Sequence, residues 1–177
     1  MSDESRVITP LYMETISFLV DQYSYEIHNS LSYRFFSGWL FVQGYKNLAN
    51  YYADLAYESM DKANNIHCFL QKGGVWFYRL LPFSSEFKDI NLKKILEKTL
   101  ELVIENTERI KAGFLLAEDK EDLFTRSFLE TRLHAQFNEE SCARQKLNML
   151  ENGGEFSFDN GLKYEREPIP MQDYKHD

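Results

Sequence analysis

Apolar residues recur along much of this chain at alternating spacings of three and four, the period of a helix buried along one face. The first stripe reads Tyr12, Ile16, Leu19, Tyr23, Glu26, Ser30, Tyr33 and predicts a helix from residue 10 to about 41. Thr9-Pro10 supplies its start, a hydroxyl cap before a proline in the first helical position. A second helix, roughly 45–71, turns Leu48, Tyr52, Leu55, Ala56, Ala63, Ile66 and Leu70 inward and ends at Gly73-Gly74. Asp89 reads as the cap of a third helix, about 90–117, with Leu96, Leu100, Val103, Thr107, Ile110 and Phe114 inside. The short turn AEDKED leads to a fourth helix ending near Leu150, its stripe set by Leu129, Leu133 and Leu147.

Proline placement agrees with this reading. The four prolines are Pro10, Pro82, Pro168 and Pro170, so two long stretches are free to be helical. Between the second and third helices lies VWFYRLLPFSSEFK, too long for a tight turn and too apolar for a disordered linker. It reads as a packed crossover. Short, long and short connections in this order predict an all-α fold, two helical hairpins joined by one long link between helices 2 and 3. The domain spans 10–150, after a polar segment at 1–9. The tail, 151–177, holds two prolines and many charges and reads as partly mobile.

Composition narrows the function. With 177 residues, the chain suits one domain with a sizeable core. The net charge of −8, with no basic arm or stripe, argues against a nucleic-acid partner. An acidic shell instead concentrates cations nearby. The opening MSDESRVITP is polar and acidic, unlike a signal or transit peptide, and no stretch has the apolar length to cross a membrane. Cys68 and Cys142 have no metal-ligand spacing, and a cytoplasmic chain with two reduced thiols is the simplest account.

Chemistry concentrates on a few polar positions. Glu26 sits in the middle of an apolar stripe, seven residues after Leu19 and seven before Tyr33. A carboxylate there needs a cation or a donor facing it, so it reads as a metal ligand, as a hydrogen-bonded partner of Tyr or Lys, or as a side chain that leans out to solvent. On the fourth helix Gln136, Glu139, Glu140 and Ala143 fall near the inner stripe, and carboxylates from two helices facing one cavity suit iron. The second helix is open to two readings. Glu58 and Asp61 have the three-residue spacing of a bundle metal motif, yet align with Asp54 and Asn65 as a wet face. Ser59 lies on the apolar stripe beside Lys62, whose ammonium would then approach Glu26. His28, His67, His134 and His176 fall off the inner stripes, near a helix end or in the tail.

These residues resemble a known family. LVDQYSYEIHNSLSYRFFSGW resembles the first helix of non-haem ferritins, in which a glutamate matching Glu26 binds iron and a tyrosine matching Tyr33 lies close by. KTLELVIENTERIKAGFLLAEDKEDLFTRSFL is similar to the ferritin third helix, short turn and start of the fourth. FLETRLHAQFNEES resembles the fourth, with Gln136 and Glu139 at positions used near the metals. The resemblance covers about residues 11 to 150. It implies a ferritin-like four-helix bundle and iron (Fe2+/Fe3+) as the metal, with Glu26, Glu58, Asp61, Gln136 and Glu139 as candidate ligands and Tyr33 as a candidate catalytic residue.

The departures are equally specific. The family's second helix carries Glu-x-x-His; this pair falls on Ser59 and Lys62 counting from the first helix, or on Glu58 and Asp61 counting back from Gly73-Gly74. Neither supplies a histidine. The third-helix glutamate falls on Val103, and Glu101 and Glu105 are each rotated about 200° away. The pattern is similar to light-type subunits, which implies a hollow twenty-four-subunit cage storing iron, alone or beside an active ferritin subunit, with an impaired or absent ferroxidase centre. Two alternatives stand beside it: an active ferroxidase with an atypical site built from Glu26, Glu58, Asp61 and Glu139, and a non-iron scaffold or interaction protein on the same fold.

Overall fold

The structure is a computed structural model and describes residues 11–78, 89–153 and 158–159. Four helices account for nearly all of these: α1 (Met13–Val42), α2 (Lys46–Lys72), α3 (Leu92–Asp119) and α4 (Leu123–Gly153). Every predicted helix is present, with ends displaced by two or three residues at most. Thr9 and Pro10 lie outside the described residues; α1 begins after Tyr12, whose carbonyl accepts from Thr15 Oγ1 at 2.9 Å. The cap of α3 is Asn91, not Asp89. Asn91 has the extended backbone of a capping residue and accepts from Lys94 N at 2.9 Å, whereas Asp89 sits at φ 52 in the left-handed region.

The helix ends show why the chain turns where it does. At the end of α2, Gly74 takes φ +77, Gly74 N donates to Gln71 O and Val75 N to Leu70 O. That pair of bonds closes the last turn and needs a left-handed residue, which glycine supplies without strain. Between α3 and α4 the same geometry falls on Glu121, at φ 55. Asp122 then caps α4, accepting from Thr125 N at 3.0 Å, while its other oxygen accepts from Thr15 Oγ1 at 2.7 Å across the bundle.

α1 packs along α2 and α3 along α4, as the two short connections require. α1 runs antiparallel to α3, since Thr15 meets Asp122 and Tyr25 OH donates to Leu102 O. α2 and α4 are also antiparallel, bridged by the Phe69–Phe128 ring stack at one level and Lys146 over Tyr51 at another. Val75 and Phe77 pack at one end of the bundle, and Ile90 and Leu92 at the other. The described ends of the α2–α3 link therefore lie at opposite ends of the bundle, about 40 Å apart for helices of this length. Residues 79–88 of the predicted crossover and the tail beyond Asp159 lie outside the described residues. Among the described residues no helix is long and apolar enough to cross a membrane.

The core is divided. One apolar cluster centres on Phe36, Leu40, Leu48, Tyr52, Ile95 and Leu96, and a second on Leu19, Ile66, Leu70, Ile110 and Leu129. Between them lies a belt of buried polar side chains. Asp122→Ala removes a cap and one cross-bundle bond together, so it should cost about 2–3 kcal/mol in denaturant unfolding. Thr15→Val should cost only part of that; equal losses in the two variants would contradict the capping role.

Candidate functional site

Every helix contributes to the polar belt because each inner stripe carries one or more polar residues at its midpoint. On α1 these are Gln22, Glu26 and Asn29, one helical turn apart. Ser59 on α2, Asn106 on α3 and Gln136 on α4 face them, all buried. Beside them opens a chamber of about 470 Å³, lined by Glu26, Asn29, Tyr33, Ser59, Lys62, Val103, Asn106 and Glu139 among others.

Glu26 is 1% exposed. Its Oε1 accepts from Gln22 Nε2 at 3.0 Å and from Asn106 Nδ2 at 3.2 Å, while Oε2 has no partner. Gln22 also donates to Asn106 Oδ1 at 2.7 Å, and its own carbonyl accepts from Arg109 Nε at 3.2 Å. Burial pushes the Glu26 carboxyl above the usual carboxylate range, against the opposing pull of the Lys62 charge, the Asn106 and Gln22 hydrogen bonds and the Arg132 charge.

The second carboxylate is Glu139. Lys62 Nζ lies 2.6 Å from its Oε1, and Gln136 Nε2 donates to its Oε2 at 2.9 Å. Lys62 thus bonds directly to Glu139 rather than to Glu26, which it influences only through its charge. The pair is sheltered, with side chains 23% and 28% exposed. Gln136 is held in turn by Thr107 Oγ1 at 3.3 Å. Arg132 lies over the Phe128 ring and donates to the carbonyl of Lys62 at 3.3 Å. Together these contacts tie α2 to α4.

The other predicted residues fall at different depths. Tyr33 is buried in the chamber wall, its hydroxyl pushed well above the ordinary tyrosine range mainly by that burial. Ser59 faces the chamber on the buried stripe of α2, whereas Glu58 is exposed at its rim. Asp61 is exposed on the outer face and accepts from Asn65. Among the described residues, no group of three or more His, Cys, Asp or Glu is arranged to hold a metal. Cys68 and Cys142 are free and exposed.

Five residues of this network are not among the predicted site residues: Gln22, Asn29, Asn106, Arg109 and Arg132. Gln22 and Asn29 lie four before and three after Glu26, on its own face, so helical spacing alone could have marked them. The buried stripe of α3 is rotated slightly from the predicted one. Its fully buried line runs Ile95, Thr99, Leu102, Asn106, Ile110, Gly113, and that rotation brings Asn106 inward.

A family model described as a Ferritin-like domain matches residues 16–152. The chain belongs to the ferritin-like family. Solved ferritins share the fold: an open pore ferritin from the archaeon Archaeoglobus fulgidus superposes with a TM-score of 0.79 at 21% identity, covering 88% of this chain and 98% of that one. A humanized archaeal ferritin gives 0.83 at 19%, with 89% and 99% covered. An engineered closed form of the Archaeoglobus ferritin gives 0.78 at 21%, again with 89% and 99% covered. No curated protein matches the chain in sequence.

Burial sets a pH signature for this ferritin-like bundle. A carboxyl whose pKa is raised by folding contributes stability below its unfolded value, and that contribution is lost as pH rises through the folded value. Glu26→Gln keeps an acceptor for Gln22 and Asn106 but carries no charge. The variant should therefore gain stability over the wild type as pH rises above about 4.5, the ordinary carboxyl value. Melting curves of the two proteins that stay parallel from pH 4 to 8 would contradict it.

Proposed function

We propose that the chain is a subunit of a self-assembled ferritin cage that stores iron, with a ferroxidase centre that is impaired or absent. The observation that carries this reading is the Lys62–Glu139 ion pair in the chamber wall. A carboxylate-bridged iron pair needs several negative or neutral donors converging with free lone pairs. Here Glu139 already binds an ammonium and an amide, Glu58 is exposed at the rim, and the buried oxygens left unengaged in the chamber are Glu26 Oε2 and Asn29 Oδ1. The family's Glu-x-x-His pair falls on Ser59 and Lys62 by the count that matches the buried face of α2, and its third-helix glutamate on buried Val103. This donor set does not fit two bridged irons. Iron is then cargo, and the acidic surface, net −8, concentrates it.

Self-association is supported by what one subunit leaves uncovered. Phe41, Val42, Phe124 and Phe137 are 65%, 79%, 63% and 80% exposed. Apolar side chains this exposed gain from burial against other copies of the chain.

Aerobic addition of Fe(II) to the purified assembly should show slow, autoxidation-like absorbance growth. Ser59→Glu with Lys62→His and Val103→Glu should accelerate it at least about tenfold, a barrier change near 1.4 kcal/mol. Rapid oxidation by the wild type that disappears in Glu58→Ala would instead support an atypical active site.

A further inference from the structure

The chamber carries an unmet demand that the storage reading does not use. Glu26 Oε2 and Asn29 Oδ1 are both buried acceptors without a donor, and both residues line the chamber. Glu26 is 1% exposed and Asn29 2%. Three positions apart on α1, they serve one face and one space. Each acceptor left unmet is costly, and a charged one more so. The neighbouring donors point elsewhere: Lys62 Nζ bonds Glu139, and Gln22 and Asn106 bond Glu26 Oε1.

Part of the wall is apolar, formed by Leu55, Leu102, Val103 and Ala143, while Ser59, Thr99 and the paired Lys62 and Glu139 line the rest. Acidic Asp54 and Glu58 also border the space, and Glu58 is exposed. At about 470 Å³ the space is of small-molecule size. A neutral apolar guest would strand Glu26 Oε2, and a bare metal ion would leave the apolar wall without contacts. An ammonium on a hydrocarbon body answers both, since it offers three donors and a positive charge beside an apolar tail.

We propose that the chamber binds a small organic monocation, its ammonium donating to Glu26 Oε2 and Asn29 Oδ1 and its apolar body lying against Leu55, Leu102 and Val103. The acidic rim at Glu58 favours entry of cations over anions. Binding of this kind is independent of iron storage and of any redox chemistry.

Titration calorimetry on the assembled wild-type protein tests it, with phenethylamine as probe and phenethyl alcohol as its neutral counterpart. The amine should bind saturably and at least about tenfold more tightly than the alcohol. Glu26→Gln should abolish that preference while leaving assembly, read by size exclusion, unchanged. Val103→Trp, which fills the chamber, should abolish binding of both. Absence of amine binding to the wild type, equal affinity for amine and alcohol, or a preference that survives Glu26→Gln would each overturn the proposal. Iron oxidation and assembly are read separately, so such a failure leaves the storage reading standing.

Discussion

A carboxylate held out of water in the middle of a helical bundle is the constraint around which this molecule is arranged. Glu26 cannot be moved to the surface, because its seat on α1 faces all three other helices. The bundle accommodates it with amide donors from two helices, Gln22 and Asn106, and with the charge of Lys62 at longer range. Each of those groups needs its own partner, and the network extends outward to Glu139, Gln136, Thr107 and Arg109. The division of the apolar core into two clusters follows directly. Hydrophobic burial stabilises the two ends, and hydrogen bonding and charge pairing set the middle.

Such a belt is a poor way to gain stability. A buried ion pair seldom outperforms well-packed apolar side chains of the same volume, although breaking one by removing a single partner is costly. What the belt supplies is register. Tyr25 with the Leu102 carbonyl and Lys62 with Glu139 each fix one helix against another at a defined level, as Thr15 with Asp122 does at the bundle end. The membership of the chain in the ferritin-like family gives the arrangement a context: the fold is retained closely enough to superpose on archaeal ferritins, while the donors inside it form an internal salt bridge.

The fold was legible because its signals are long-range and redundant. Four stripes of period 3.6, the Gly73-Gly74 stop and the spacing of the prolines all point to two hairpins with one overhand link. Local capping was less legible. Asp89 and Asn91 are both good capping residues two positions apart, and only the backbone conformation decides between them. The chamber was half legible. Glu26 announces itself as a charge inside a stripe, and Ser59 with Lys62 follows once α2 is phased on Ala56 and Ala63. The partner of Lys62 was not readable, because Glu26 and Glu139 approach from different helices and a flexible lysine can reach either. Asn106 was hidden by a small error in the rotation of α3, where Leu100 and Thr107 compete with Thr99 and Asn106 for the inward position.

Iron-edge anomalous diffraction from crystals soaked anaerobically in Fe(II) addresses the central claim most directly. The account predicts Lys62 still on Glu139 and no pair of iron peaks between Glu26 and Glu139. Two peaks bridged there, with the Lys62 ammonium displaced, would contradict it.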